Sequence, residues 1–110
     1  MEKPVKGSVV VIAFPFSDLS QSKRRPALVV VDLPGEDLIL CQITSHRGDD
    51  PNAVKISDAD FQRGGLKRIS YARIGKLFTA DRQLILYTAG ELTSDCMSAI
   101  MSSIIALFQR

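Results

Sequence analysis

The feature that most constrains the fold is a succession of short apolar runs separated by polar segments. Runs this short, rich in Val and Ile and bounded by Gly, Pro, Asp and Ser, are typical of strands in a small antiparallel sheet or barrel. They predict strands at residues 9–14, 27–33, 38–44, 53–56, 69–74, 77–79 and 84–88. No run approaches the roughly 18 residues that a membrane-spanning helix needs, so a helical membrane protein is excluded.

Two local signals complete the predicted fold. Residues 34–37 read Pro-Gly-Glu-Asp, and because Pro presets one φ and Gly accepts a positive one, we expect a hairpin between the second and third strands. Apolar residues then recur at spacings of three and four, at positions 97, 100, 101, 104, 105 and 108, which predicts an amphipathic helix. Thr93 is the expected N-cap, and Asp95 complements the helix dipole. The predicted fold is mainly β, a small SH3-like antiparallel barrel with a C-terminal helix.

Length and composition fit one soluble domain. The chain has 110 residues, of which 45% are hydrophobic and 24% charged, so we expect a single domain over residues 1–110. Cys41 and Cys96 lack the spacing of a metal site or a disulfide framework. We interpret them as buried reduced thiols, which favours a cytoplasmic location. One histidine and scattered aspartates give no ligand cluster, so we expect no metal and no cofactor.

Positive charge is concentrated in two segments, although the net charge is only +2. Lys23, Arg24 and Arg25 are consecutive, and the segment 63–76 holds Arg63, Lys67, Arg68, Arg73 and Lys76 without an acid. Three like charges against an apolar strand repel one another unless water or an anion surrounds them. If the fold brings the two segments together, they form one basic patch for a polyanion.

The segment before the second strand carries groups that suit single-stranded nucleic acid. Phe16 can stack on a base, Ser20 and Ser22 offer hydroxyl groups, and Lys23 and Arg24 offer charge to phosphates. A solvated basic loop that protects a sheet edge from aggregation is the alternative interpretation. Taken alone, this segment favours the solvated basic loop, because short basic runs are common.

Two further positions stand out at the ends of the predicted hairpin. Pro26 disfavours the helical region for the residue before it, so Arg25 is expected to be extended, with its planar guanidinium on a rigid element. Thr44, Ser45 and His46 lie at the other end. His46 is the only histidine in the chain, and its usual pKa suits proton transfer near neutral pH. A surface or structural histidine is the alternative.

In this order, the motifs resemble those of a known family. Gly7 precedes the strand VVVIAF, a loop ends in KRRPALVVV, a strand ends in LCQITS, and DFQRGGLKRISYARIGKLFT precedes the terminal helix. Over essentially its whole length the chain resembles the MazF/PemK toxins of bacterial toxin-antitoxin systems. The resemblance implies an SH3-like barrel, usually a homodimer, that cleaves single-stranded RNA at short sequences without a metal. It also implies a cognate antitoxin protein as a partner.

The resemblance assigns a catalytic pair. In the family, the arginine before the proline and the threonine closing the later strand are catalytic, and these positions are Arg25 and Thr44 here. The implied reaction is attack of a ribose 2′-hydroxyl on the adjacent phosphate, giving a 2′,3′-cyclic phosphate and a free 5′-hydroxyl. Because arginine stays protonated, we expect Arg25 to stabilise the phosphorane and to release a proton late, while Thr44 positions the phosphate. His46 is then the base or a contact to a nucleobase.

The chain departs from the family pattern at two positions. Ser8 follows Gly7 where many members have an acid, and Ser70 stands approximately where some members carry a catalytic acid, which makes it a candidate of the catalytic site. The predicted RNA-binding set is completed by Ser45, Arg68, Tyr71 and Arg73. Two alternatives stay open: a toxin of this architecture that inhibits a topoisomerase by protein contact, and an RNA-binding domain that does not cleave.

Overall fold

The computed structural model describes residues 3–15 and 22–110, with side chains over residues 3–13 and 23–110. Within these residues the chain forms β1 (Ser8–Pro15), β2 (Ser22–Asp32), β3 (Asp37–Thr44), β4 (Ala53–Ile56), β5 (Phe61–Gly64), β6 (Ser70–Asp81), β7 (Ile85–Leu92) and α1 (Ser94–Phe108). Short 3-10 helices, Asp58–Asp60 and Arg82–Leu84, precede β5 and β7.

The strands pair into a single antiparallel sheet in the order β4-β6-β3-β2-β1-β7-β5. Its two edge strands, β4 and β5, are joined in sequence by residues 57–60 only, so the sheet has to curl until its edges approach each other. The packing agrees, because Ile56 of β4 and Phe61 of β5 belong to the same apolar cluster as Ile100 of α1. The predicted barrel-like β fold with a terminal helix is confirmed.

Strand β1 is buried on both of its faces. Val9, Val10, Val11 and Ile12 are each no more than 7% exposed, and successive side chains of a strand point to opposite faces. Val9 joins the cluster that packs against α1, whereas Val10 and Ile12 join a second cluster on the other face of the sheet. A strand covered on both faces explains why this part of the sequence is apolar without alternation.

Helix α1 begins where the sequence predicts. The side chain of Thr93 accepts a hydrogen bond from the backbone N–H of Cys96, with 3.1 Å between the two atoms, and Asp95 lies in the first turn. Met97, Ile100 and Ile104 of the predicted apolar stripe are buried, whereas its members Ile105 and Phe108 are exposed. No helix in the described ranges has the length and apolar character to cross a membrane.

The cationic triplet lies in a different element from the one predicted. We expected it in a loop, but it belongs to β2, where Lys23, Arg24 and Arg25 pair with Phe14, Ala13 and Ile12 of β1. The two strands therefore extend further than their apolar residues indicate. As a result, the three cations are placed by backbone pairing with β1.

The region after β4 also differs from the prediction. Strand β5, Phe61–Gly64, falls in a segment predicted as a loop, and its backbone pairs with β7. The runs 69–74 and 77–79 were predicted as two strands but form one, β6. Its pairing with β3 shifts, since Cys41 pairs with Leu77 and Gln42 with Arg73. This bulge explains why the apolar pattern is interrupted there.

Candidate active site

A cavity of about 820 Å³ opens between the first half of β2, the end of β3 and the segment that joins β5 to β6. Val11, Pro26 and Ile43 line its apolar floor. Val11 pairs with Pro26, and Ile43 follows Gln42, the last residue of β3 that pairs with β2. The floor therefore crosses three neighbouring strands.

The rim of the cavity is strongly cationic. Its charged lining residues are Lys23, Arg24, Arg25, Lys67 and Arg68, and no acidic side chain of the described residues lines it. The whole chain carries a net charge of only +2, so positive charge is concentrated here. The two basic segments of the sequence do meet, through residues 23–25 and 67–68. A concave surface of one charge sign attracts a ligand of the opposite sign, here an anion.

The predicted catalytic pair lines this one cavity. Arg25 and Thr44 are both half-buried lining residues. The β2–β3 pairing ends at Ala27 and Gln42, so Arg25 and Thr44 lie just beyond it, at the open end of the hairpin where the cavity opens. A phosphate bound in the cavity would lie close to both residues.

The hydroxyl of Thr44 is oriented by the backbone of His46. Thr44 Oγ1 accepts a hydrogen bond from the His46 backbone N–H at 3.1 Å and donates to the His46 carbonyl at 3.3 Å. The second distance is long for an O–H donor, so that proton can turn to a better acceptor at low cost. The exposed His46 side chain does not line the cavity. The backbone of His46 thus orders Thr44, whereas catalysis by its imidazole stays a prediction.

Ser70 lies at the inner wall of the cavity. It is 4% exposed, and its hydroxyl donates to the carbonyl of Arg68 at 3.0 Å. A serine hydroxyl has one proton, and here it is used on the backbone that carries Arg68. In this conformation Ser70 orders the entry to β6. A direct catalytic role for it stays a prediction.

Two predicted RNA-binding residues lie outside the cavity. Tyr71 and Arg73 alternate on β6 with the buried Ser70 and Ala72, so they point to the other face of that strand. Arg73 Nε forms an ion pair with Asp50 Oδ2 at 3.0 Å. This contact ties the segment between β3 and β4 to the sheet.

Asp50 is a titratable group with a clear environment. The hydrogen bond from Arg73, followed by one from the backbone N–H of Asn52 at 2.9 Å, holds the pKa of Asp50 below its ordinary value of 3.8. Because the pKa is depressed on folding, the ion pair stabilises the folded state above the unfolded pKa, and this contribution is lost as the pH falls through the folded pKa.

We therefore expect Asp50→Asn to destabilise the protein at pH 6 and to have a smaller effect as the pH falls below about 4. Urea unfolding of both proteins between pH 3 and pH 7 measures this difference. Arg73→Gln should cause a similar loss at pH 6, and the double variant should lose little more than either single variant. Equal destabilisation by Asp50→Asn at all pH values would show that the charge of Asp50 is not what matters.

Some of the remaining predicted site residues are described by the structure, and others are not. Lys23, Arg24, Ser45 and Arg68 line the cavity, and their RNA contacts stay predictions. Phe16 and Ser20 lie outside the described residues, and only the backbone of Ser22 is described, as the first residue of β2. The predicted RNA contacts of these three residues stay predictions.

The structure adds lining residues that the sequence did not assign to the site, among them Leu66, Lys67, Tyr87 and Thr88. Lys67 was visible as part of a basic segment. One feature of the sequence could have indicated Tyr87, namely a large aromatic side chain in a predicted strand at a position outside the apolar core. Its contribution to the cavity depends on how β7 pairs with β1, which the sequence does not show.

The two thiols belong to the apolar interior more than to the site. Burial, with a smaller effect of Asp50, raises the pKa of Cys41 to about 12, and burial also raises the pKa of Cys96. Neither cysteine forms a disulfide. Among residues 3–15 and 22–110, no group of three or more His, Cys, Asp or Glu side chains is arranged to hold a metal ion.

A curled antiparallel sheet, one terminal helix and a cationic cavity at the strand ends define a small barrel-like β domain with a surface suited to an anion. The family model of the PemK-like, MazF-like toxins of type II toxin-antitoxin systems matches residues 5–108. The chain therefore belongs to this family, as the order of its sequence motifs predicts. No curated protein sequence matches it at a significant level.

Solved structures share the fold at low sequence identity. An endoribonuclease from a mycobacterial species, in complex with its cognate antitoxin, has a TM-score of 0.75 at 17% identity, covering 99% of this chain and 96% of that one. A MazE–MazF structure from Deinococcus radiodurans has a TM-score of 0.78 at 19% identity, with 99% and 98% covered. A MazF toxin of Mycobacterium tuberculosis has a TM-score of 0.69 at 18% identity, with 93% and 96% covered. These likenesses establish the fold.

Proposed function

We propose that this protein is a metal-independent endoribonuclease toxin that cleaves single-stranded RNA within the cavity around Arg25 and Thr44. The observation that carries the proposal is that Arg25 and Thr44 line one concave site with a cationic rim and an apolar floor. The cations can bind the phosphates of a single strand, and the apolar surface can pack against its unstacked bases. The mycobacterial relative of the same fold is an endoribonuclease, which supports this choice.

The proposed reaction is an internal transfer at one phosphate. The ribose 2′-oxygen forms a bond to phosphorus, the bond from phosphorus to the 5′-oxygen breaks, and the products are a 2′,3′-cyclic phosphate and a 5′-hydroxyl. The 2′-hydroxyl loses its proton to a base, for which His46 is the candidate, and the leaving 5′-oxygen gains one. Fixed hydrogen-bond donors stabilise the charge that develops on the phosphorane oxygens, and no covalent intermediate with the protein is required.

In this scheme Arg25 and Thr44 have different tasks. The guanidinium of Arg25 donates to the phosphorane oxygens in a planar fork and can release a proton to the leaving oxygen. The hydroxyl of Thr44 turns from the His46 carbonyl to a phosphate oxygen and holds the reacting atoms in line. Ser70 maintains Arg68 at the wall by its hydrogen bond of 3.0 Å. Lys23, Arg24, Lys67 and Arg68 bind neighbouring phosphates.

Incubation of the purified protein with a long single-stranded RNA in EDTA tests the proposal. We expect discrete fragments at low salt, and a decrease in RNA affinity as salt is added, because the rim cations release counterions from the backbone. Intact RNA under these conditions would contradict the proposed cleavage. Growth arrest with undamaged RNA would then select the toxin that inhibits a topoisomerase by protein contact.

The proposal extends to partners and location. A cognate antitoxin is expected because the structures of relatives include toxin and antitoxin together, and an acidic segment of such a protein would suit the cationic rim. A homodimer is also proposed, supported by the exposed apolar side chains of Ile105 and Phe108 on α1, and light scattering would measure its mass. A cytoplasmic location of this single domain, residues 1–110, is supported by its two free thiols.

A further inference from the structure

Tyr87 combines exposure with a place in the cavity. It is 49% exposed, although it lies within β7, and it lines the same cavity as Arg25 and Thr44. The β1–β7 pairing places it opposite Val11. It therefore extends the cavity floor by one strand, on the side away from Thr44.

The strand spacing gives the distance between Tyr87 and the proposed reaction centre. Tyr87, Val11 and Pro26 follow one another across β7, β1 and β2, and neighbouring strands are about 4.8 Å apart, so the backbones of Tyr87 and Pro26 are separated by roughly 10 Å. Arg25 is the next residue of β2. A phosphate held by Arg25 thus leaves room for the adjoining nucleotide to reach the ring of Tyr87.

The surroundings of the ring favour a nucleobase over a second charged group. The lining residues nearest to Tyr87 in sequence, Thr88 and Ala89, are small, and Leu66 adds an apolar side chain to the wall. The charged lining residues are all cations, which attract the phosphates on either side of the base. Stacking of bases on aromatic side chains is how proteins commonly bind single strands.

We propose that Tyr87 is the base-stacking residue of this site, which holds the nucleobase next to the scissile phosphate and thereby contributes to the choice of cleavage position. The inference rests on the proposed RNA-cleaving function and assigns a ligand contact to a residue outside the catalytic pair. An aromatic ring accepts any base on its face, with purines offering the larger surface. Tyr87 therefore contributes affinity and register, while polar groups such as Ser45 remain available for base edges.

A combination of protein and RNA variants tests this contact. RNA in which one nucleotide at a time is abasic is bound to the Arg25→Ala protein, so that cleavage does not interfere. At the stacked position we expect the missing base to weaken binding about 5- to 150-fold. With Tyr87→Ala added, the same abasic RNA should bind no worse than the complete RNA, because the stacking partner is already absent. Tyr87→Trp should retain the preference for the complete RNA.

The control is Leu86→Ala, which removes the apolar side chain next to Tyr87 in β7; Leu86 is 42% exposed and lies outside the cavity. It should leave the effect of every abasic position unchanged. An abasic penalty of the same size with and without Tyr87 would overturn the inference even if wild-type protein cleaves RNA normally. Loss of antitoxin binding in Tyr87→Ala, with RNA binding and cleavage unchanged, would also overturn it and assign Tyr87 to a protein contact. If wild-type protein neither binds nor cleaves RNA, the proposed function itself fails.

Discussion

Arg25→Ala is expected to lower the rate of RNA cleavage at saturating RNA by about 10³-fold, the size expected when a donor to a developing phosphorane charge is removed. Arg25 is the half-buried residue of the triplet and lines the same cavity as Thr44. Its loss removes a charge-assisted donor that acts mainly in the transition state. RNA affinity should fall much less than the rate. Single-turnover kinetics, with binding measured separately, gives both numbers.

Two matched variants identify the cause. Arg25→Lys keeps the charge without the planar fork, so we expect it to recover only a small part of the rate. Arg63→Ala removes an exposed arginine of β5 that does not line the cavity, and its rate should stay within about threefold of wild type, as for a surface charge screened by salt. If Arg63→Ala is as slow as Arg25→Ala, general attraction of RNA explains the effect, and the catalytic role of Arg25 is wrong.

Gly64→Ala is expected to cost about 3 kcal/mol of folding free energy, because a positive φ and a steric clash act together. Gly64 has a φ of +64°, and a Cβ atom there would lie 2.2 Å from the carbonyl oxygen of Ala89. That oxygen belongs to the backbone of β7, so relief of the clash requires β5 and β7 to move apart. Urea unfolding at constant pH measures the loss.

Gly35→Ala is the matched control. Gly35 also has a positive φ, +83°, but a Cβ atom there would meet nothing within 4 Å. It should therefore show only the conformational cost, about 1 kcal/mol, and the difference between the variants measures the clash. Because residues 65–68 follow Gly64 into the cavity wall, Gly64→Ala should also reduce RNA cleavage at temperatures where it is still folded, whereas Gly35→Ala should not. Equal losses of stability would contradict the close approach of β5 to β7.

The sequence predicted the elements that are determined by residues close together in the chain. The terminal helix has its N-cap at Thr93 and a stripe of buried apolar residues, and the second hairpin has its turn at Gly35, with a positive φ. Both depend on residues close together in the chain. Strand β5 was missed because Phe61–Gly64 is mostly polar and exposed, and only its pairing with the distant β7 makes it a strand.

In the candidate site, too, local motifs predicted some positions, whereas long-range strand pairing determines others. Sequence motifs placed Arg25 and Thr44 at the ends of one hairpin, and both residues line the cavity, while their catalytic roles stay predictions. The positions of Tyr71 and Arg73 depend on which face of β6 is buried, and the ion pair between Arg73 and Asp50 at 3.0 Å joins residues that no local pattern connects. Tyr87 lies at the cavity because β7 pairs with β1, where Tyr87 is opposite Val11. This pairing joins residues far apart in the sequence.

The most direct test of the proposed reaction uses one short RNA that contains a mapped cleavage site, prepared with ribose throughout or with a single 2′-deoxynucleotide on the 5′ side of the scissile phosphate. The account predicts that the ribose form is cut in EDTA to a 2′,3′-cyclic phosphate and a 5′-hydroxyl, while the 2′-deoxy form is bound with similar affinity and stays intact. Cleavage of the 2′-deoxy form at a similar rate, or products with a 5′-phosphate, would contradict attack by the 2′-hydroxyl in the cavity of Arg25 and Thr44.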